Sequence, residues 1–185
     1  MRKLNFDAPF NSLSLGNVSL NFLRELIKKD LDLSLFPVGD RINLEAYDKL
    51  GENVKDIIPK LTGKRFKNFD RTTPTLRVWH INGSEKKIGD HQFLYTFYEV
   101  DSPTEEEIAI VKAQDHVFFS CSEAAETFKK KGCDNVSYVP LGFDEDFGET
   151  RKEYLGDDVI HFGLIGKMER RKNTQALIQL WCKKF

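Results

Sequence analysis

The feature that most constrains this chain is an alternation. Short apolar runs of strand length take turns with longer runs whose apolar residues recur at helical spacing. Strands joined through helices run parallel, because each crossover returns the chain to the same end of the sheet. A parallel sheet is covered on both faces, so its strands read as nearly continuous apolar runs. The expected fold class is therefore α/β: a Rossmann-like parallel sheet with helices on both faces.

The elements follow in order. Residues 3–8 read as a strand and 9–16 as a loop, and the next helix carries Leu15, Val18, Phe22, Leu23, Leu26 and Ile27 on one face. A second strand covers 31–37, and a helix over 44–58 is expected to end at Pro59. Residues 62–75 are polar and basic and read as loop. Strands at 75–81 and 93–100 come next, the first closed by the turn signal Asn82-Gly83. Ser102 as cap, Pro103 at the first helical position and Glu105 as capping-box partner predict a helix to about Ala113. A strand at 116–120 precedes a helix capped by Ser120 or Ser122 and closed by Gly132, and 136–139 is a further strand.

Beyond this series the pattern changes. Residues 143–157 are acidic and aperiodic and read as a linker; 159–165 read as a new buried strand, and Arg171 opens a helix. The expected organisation is a domain over 1–142, the linker, and an incomplete βα unit over 158–185. One βα unit cannot bury both its faces alone. Leu164, Ile165, Leu177, Ile178 and Trp181 are therefore expected to be buried, by docking on the main domain or by self-association with another chain.

Charge and cysteine usage exclude some classes. The 28 basic residues nearly balance 29 acidic ones, which argues against a dedicated nucleic-acid binder. Cys121, Cys133 and Cys182 form no CxxC pair, so neither a zinc site nor a disulfide framework is expected. Free cysteines point to a reducing, cytoplasmic setting. No apolar run approaches the ~18 residues of a membrane span, and the first residues are too polar for a signal peptide.

In an open parallel sheet, ligands bind beyond the carboxyl ends of the strands. That rule selects residues 11–16, 80–83, 99–101, 120–123 and 166–172. Gly16 stands before a helix N-terminus, where free N–H groups suit phosphate, yet GxGxxG and GxxxxGK[ST] are both absent. The other reading of Gly16 is an ordinary strand-to-helix turn. His80, at a strand end, is either structural or a proton shuttle or sugar contact. Glu99 and Asp101 either touch a ligand or support the next helix N-terminus. Lys167, Arg170, Arg171 and Lys172 crowd a helix start, where cations oppose the helix dipole and a bound anion would resolve the conflict. The plainer alternative is a solvated basic turn.

Three stretches together resemble glycosyltransferase family 4, the retaining nucleotide-sugar enzymes of the GT-B fold. The first is Thr96-Phe97-Tyr98-Glu99-Val100-Asp101-Ser102-Pro103, followed by Ala113 to Glu123. The second is Phe128 to Phe147, with Lys131-Gly132-Cys133 followed by Val136, Pro140, Gly142 and Asp144. The third is Phe162 to Asn173, with Gly166-Lys167-Met168-Glu169-Arg170-Arg171-Lys172-Asn173 at its end. The resemblance spans about residues 75–185; the first 74 fit by topology only.

It implies an acceptor-side domain at 1–142 and the start of a donor-side domain. Gly16, Gly166, Lys167, Arg171 and Lys172 would hold the donor diphosphate, and Glu99 and His80 would be the catalytic candidates. The donor would be a nucleotide diphosphate-sugar, and the acceptor a glycan, lipid or small molecule. No metal or other cofactor is implied. Peripheral membrane contact is a further implied partner. The family's donor domain continues well past the equivalent of Phe185, with a glutamate pair that holds sugar and ribose, so this chain alone is expected to be inactive. Two other classes stay open: a non-catalytic module that keeps the acceptor cleft, and a general phosphate-binding α/β protein.

Overall fold

The computed structural model describes residues 2–45, 52–67, 69–142, 160–166 and 168–185, without the side chains of Asp40, Glu52 and Asn53. The chain divides into two compact units, Met1–Gly142 and Phe143–Phe185. The expected linker at 143–157 lies outside the described residues.

The first unit runs β1 (Arg2–Phe10), α1 (Ser14–Leu26), β2 (Leu31–Ile42), α2 (Glu52–Lys67), β3 (Thr75–Val78), β4 (Gln92–Thr96), α3 (Glu105–Lys112), β5 (His116–Phe119), α4 (Ser122–Lys130) and β6 (Val136–Tyr138). Its described strands form one six-stranded sheet in the order β2-β1-β3-β4-β5-β6. Every adjacent pair is parallel. The order reverses between β1 and β3, which is the topological switch point.

Register shows that both faces carry helices. Tyr95 and Phe118 are partners across β4 and β5, so Phe119 points to the opposite face. Phe22 of α1 meets Tyr95 edge-on at 5.0 Å, while Phe128 of α4 stacks on Phe119 at 4.9 Å. Two cores result. Leu20 and Leu23 of α1 pack with Phe6 and Leu35, and Phe128 packs with Leu94, Val111 and Val117. The chain is thus α/β with a Rossmann-like parallel sheet, as the alternation requires.

Local features correct the sequence reading in several places. Pro59 does not end α2; it lies inside it. A proline there removes one helix hydrogen bond, yet Val54, Ile58 and Leu61 are buried in the first core, and Lys64 Nζ donates to Asp32 Oδ1 at 2.7 Å. Those contacts hold helical residues that read as loop from 62 onward. Pro37 likewise does not end β2, which continues to Ile42 along the sheet edge, where a proline leaves no required ladder bond unmade. The cap of α3 is Thr104, with Glu107 as its box partner, rather than Ser102 with Glu105. Helix α4 starts at Cys121 without a side-chain cap.

Its other end meets the expectation. Gly132 takes φ +76, and the amides of Gly132 and Cys133 donate to the carbonyls of Lys129 and Phe128. That is a Schellman closure, which a left-handed residue makes possible.

The second unit departs furthest. Residues 160–165 form no strand. A strand needs a neighbour to hydrogen-bond with, and no strand is described in this unit. The helix expected from Arg171 is split into a 3-10 turn, Arg170–Lys172, and α5, Thr174–Lys184, with Asn173 between them at φ 53. Within the single chain the residues expected to be buried are not covered: Ile165 is 97% exposed, and Leu164, Leu177, Ile178 and Trp181 are all exposed. Among the described residues of this unit, Trp181 lies 4.6 Å from Phe162 and 4.5 Å from Phe185.

Candidate functional site

The chains leaving β4 and β5 start side by side, where the Ser120 amide donates to the Thr96 carbonyl at 3.2 Å. They bound a cleft of 580 Å³ at the carboxyl edge of the sheet. Tyr98, Glu99, Val100 and Asp101 form one wall; Cys121, Glu123, Ala124 and Thr127 form the other.

The first wall is anchored through α3. Glu107 accepts from the Thr104 amide at 2.9 Å, closing the capping box, and from the Tyr98 hydroxyl at 3.2 Å. Burial, with Glu107 nearby, pushes the Tyr98 phenol up to about 12. It therefore stays neutral, and its ring packs edge-on against Phe128 at 5.0 Å. Glu99 and Asp101 extend beyond this anchor and are exposed.

The second wall is the first turn of α4. Glu123 accepts from its own amide and from Ser122 Oγ, which hold its carboxyl below the usual range. An acid suits this helix end electrostatically as well. Among the described residues, the cleft lining thus presents Glu99, Asp101 and Glu123 and no lysine, arginine or histidine. Ionised carboxylates only accept hydrogen bonds. Such a surface repels phosphate and suits a ligand rich in hydroxyl donors, with the Tyr98 ring and Val100 as its apolar part.

The other sequence candidates lie elsewhere. His80 is exposed and does not line this cleft. Its ring meets Trp79 at 5.5 Å, and its carbonyl accepts from Ser84 Oγ at 2.6 Å. Gly16 is buried in the first turn of α1. A Cβ there would press on the Asn11 carbonyl and lie 2.7 Å from the Asn11 amide nitrogen. The folded-back loop therefore accounts for this glycine without a ligand. Gly16→Ala should lower stability by about 2 kcal/mol through overpacking, measurable by urea unfolding.

In the second unit, Lys167 lies outside the described residues. Gly166 has φ +150, and the Lys172 ammonium comes within 3.3 Å of where a Cβ would stand at Gly166. Arg171 Nε instead pairs with Glu169 at 2.9 Å. Gly166 and Lys172 are brought together, and Arg171 is engaged beside them.

Sequence reasoning missed Thr127, although it stands one helical turn after Glu123. It also passed over the buried pair Asp7 and Arg77, which face each other across β1 and β3. A charged residue inside each of two apolar strands was the available signal.

Among the described residues no group of three or more His, Cys, Asp or Glu could hold a metal ion, and no helix is long and apolar enough to cross a membrane. Comparison with family models, with curated proteins and with solved structures finds no match to this chain.

Proposed function

We propose that this chain is the acceptor side of a nucleotide-sugar-dependent glycosyltransferase, and that the cleft after β4 and β5 seats a neutral, polyhydroxylated acceptor. The observation that carries this reading is the cleft's lining, which among the described residues has three carboxylates and no cation, at the carboxyl edge of a parallel sheet. Glu99 orients an acceptor hydroxyl by accepting its hydrogen bond, within reach of proton transfer. The cations around Gly166 fit the complementary task, stabilising the leaving diphosphate as negative charge develops on it. That second half rests on the sequence resemblance together with the approach of Lys172 to Gly166.

Calorimetric titration with neutral mono- and disaccharides tests the proposal. Saccharide binding should weaken about tenfold in Glu99→Gln or Asp101→Asn, the scale of one lost charge-assisted hydrogen bond. Saccharide binding unchanged in both variants would sink it.

A further inference from the structure

Helix α2 packs one side into the first core through Val54, Ile58 and Leu61. Lys60, Gly63 and Lys67 therefore fall on the opposite side, because positions i, i+3 and i+7 share one face of a helix. Both lysines are exposed. A Cβ added at Gly63 would meet nothing within 4 Å, so the row is open at its centre. Among the described residues neither lysine has an ion-pair or hydrogen-bond partner, the exposed Asp56 one turn before Lys60 included. Lys64 differs: it is held by Asp32 at 2.7 Å.

Two aromatic rings follow at the end of this helix. Phe66 is 77% exposed and Phe69 50%. Both are braced from one side: the Arg65 guanidinium lies 4.6 Å from the Phe66 ring centre, and Phe36 of β2 lies 5.9 Å from Phe69. The helix dipole by itself accounts for cations in a last turn. It does not account for Lys60, or for a phenylalanine left in water between Arg65 and Lys67. Such a ring suits a surface that is apolar just beneath a charged layer.

We propose that the outward face of α2, with Phe66 and Phe69, rests on an anionic lipid bilayer. Lys60 and Lys67 sit among the anionic headgroups, and the two rings enter the boundary between headgroups and acyl chains. Lipid is the occupant that uses both features: the lysines give charge complementarity and the rings give insertion, and stable anchoring needs two such signals together. A nucleic acid would match the lysines, but the chain's nearly balanced charge disfavours it. The inference stands on α2 and Phe69 and does not depend on the sugar-transfer reading.

Co-sedimentation of the full chain with vesicles tests this. Vesicles of phosphatidylcholine mixed with phosphatidylglycerol should bind the chain, vesicles of phosphatidylcholine alone should not, and added salt should weaken the binding. Phe66→Ser should weaken partitioning about tenfold. Lys60→Gln combined with Lys67→Gln should weaken it about thirtyfold, at roughly a factor of five for each lysine. These side chains are exposed, and circular dichroism checks that the variants stay folded. Lys129→Gln with Lys130→Gln removes the same charge from the exposed end of α4 and should leave partitioning unchanged. Equal binding to uncharged vesicles, unchanged partitioning in the α2 variants, or an equal loss in the α4 variant would each overturn the proposal. So would a failure to bind anionic vesicles, and capture by single-stranded DNA would then assign the lysines to a different polyanion.

Discussion

Arg77→Ala should destabilise the first unit by about 4 kcal/mol, the cost of leaving a buried charge without its partner. Asp7 would remain buried on β1 without its partner, and the carbonyls of Gly83 and Lys86 would lose the group that holds their loop. For a domain with a total stability of roughly 5–15 kcal/mol, such a loss is large. The double variant Asp7→Leu with Arg77→Met should behave quite differently. It removes both charges together, and replacing a buried pair with apolar residues is often neutral or stabilising. Urea unfolding of both variants measures the contrast. A single variant within about 1 kcal/mol of the parent would show that the pair is not the constraint described.

The second large effect is expected at Phe128→Ala. Phe128 is fully buried, stacks on Phe119, and supports the ring of Tyr98. Truncating a buried phenylalanine costs about 3–5 kcal/mol, part lost transfer and part cavity. Its loss should therefore act twice: thermal unfolding should shift to lower temperature, and saccharide binding should weaken as Tyr98 loses the surface behind it. Binding unchanged at a temperature where the variant is folded would separate the core from the cleft wall.

These two positions also show what was legible in the sequence. Phe128 falls on the apolar row of α4, and Gly132 after it is a local stop signal that the backbone honours. Periodicity of this kind is written in neighbouring residues, so the alternation of strands and helices, and hence the parallel sheet, could be read directly. Interactions between distant residues could not. Pro59 is a local break signal, but α2 passes through it because Ile58 and Leu61 reach the core and Lys64 reaches Asp32. Thr104 and Ser102 are both competent caps, and the bond from the Glu107 amide to Thr104 Oγ1 decides between them. Residues 160–165 are apolar enough for a strand, but apolarity does not supply a partner to pair with.

The candidate site divides the same way. The carboxyl-edge rule led to Glu99, Asp101 and Glu123, because strand ends can be read from periodicity. It placed His80 beside them in principle, whereas the structure turns His80 toward Trp79 and away from the cleft lining. The buried Asp7–Arg77 pair needed the register of β1 against β3, which no local pattern reports. Asp7 and Arg77 are 70 residues apart in the chain.

The acceptor cleft is tested most directly by mapping amide chemical shifts of the isotopically labelled full chain during titration with a neutral disaccharide. Shifts should concentrate at residues 98–101 and 121–127, and Glu99→Gln should suppress them at matched ligand concentration. Shifts clustered elsewhere, or a pattern at these residues indifferent to Glu99→Gln, would contradict the account.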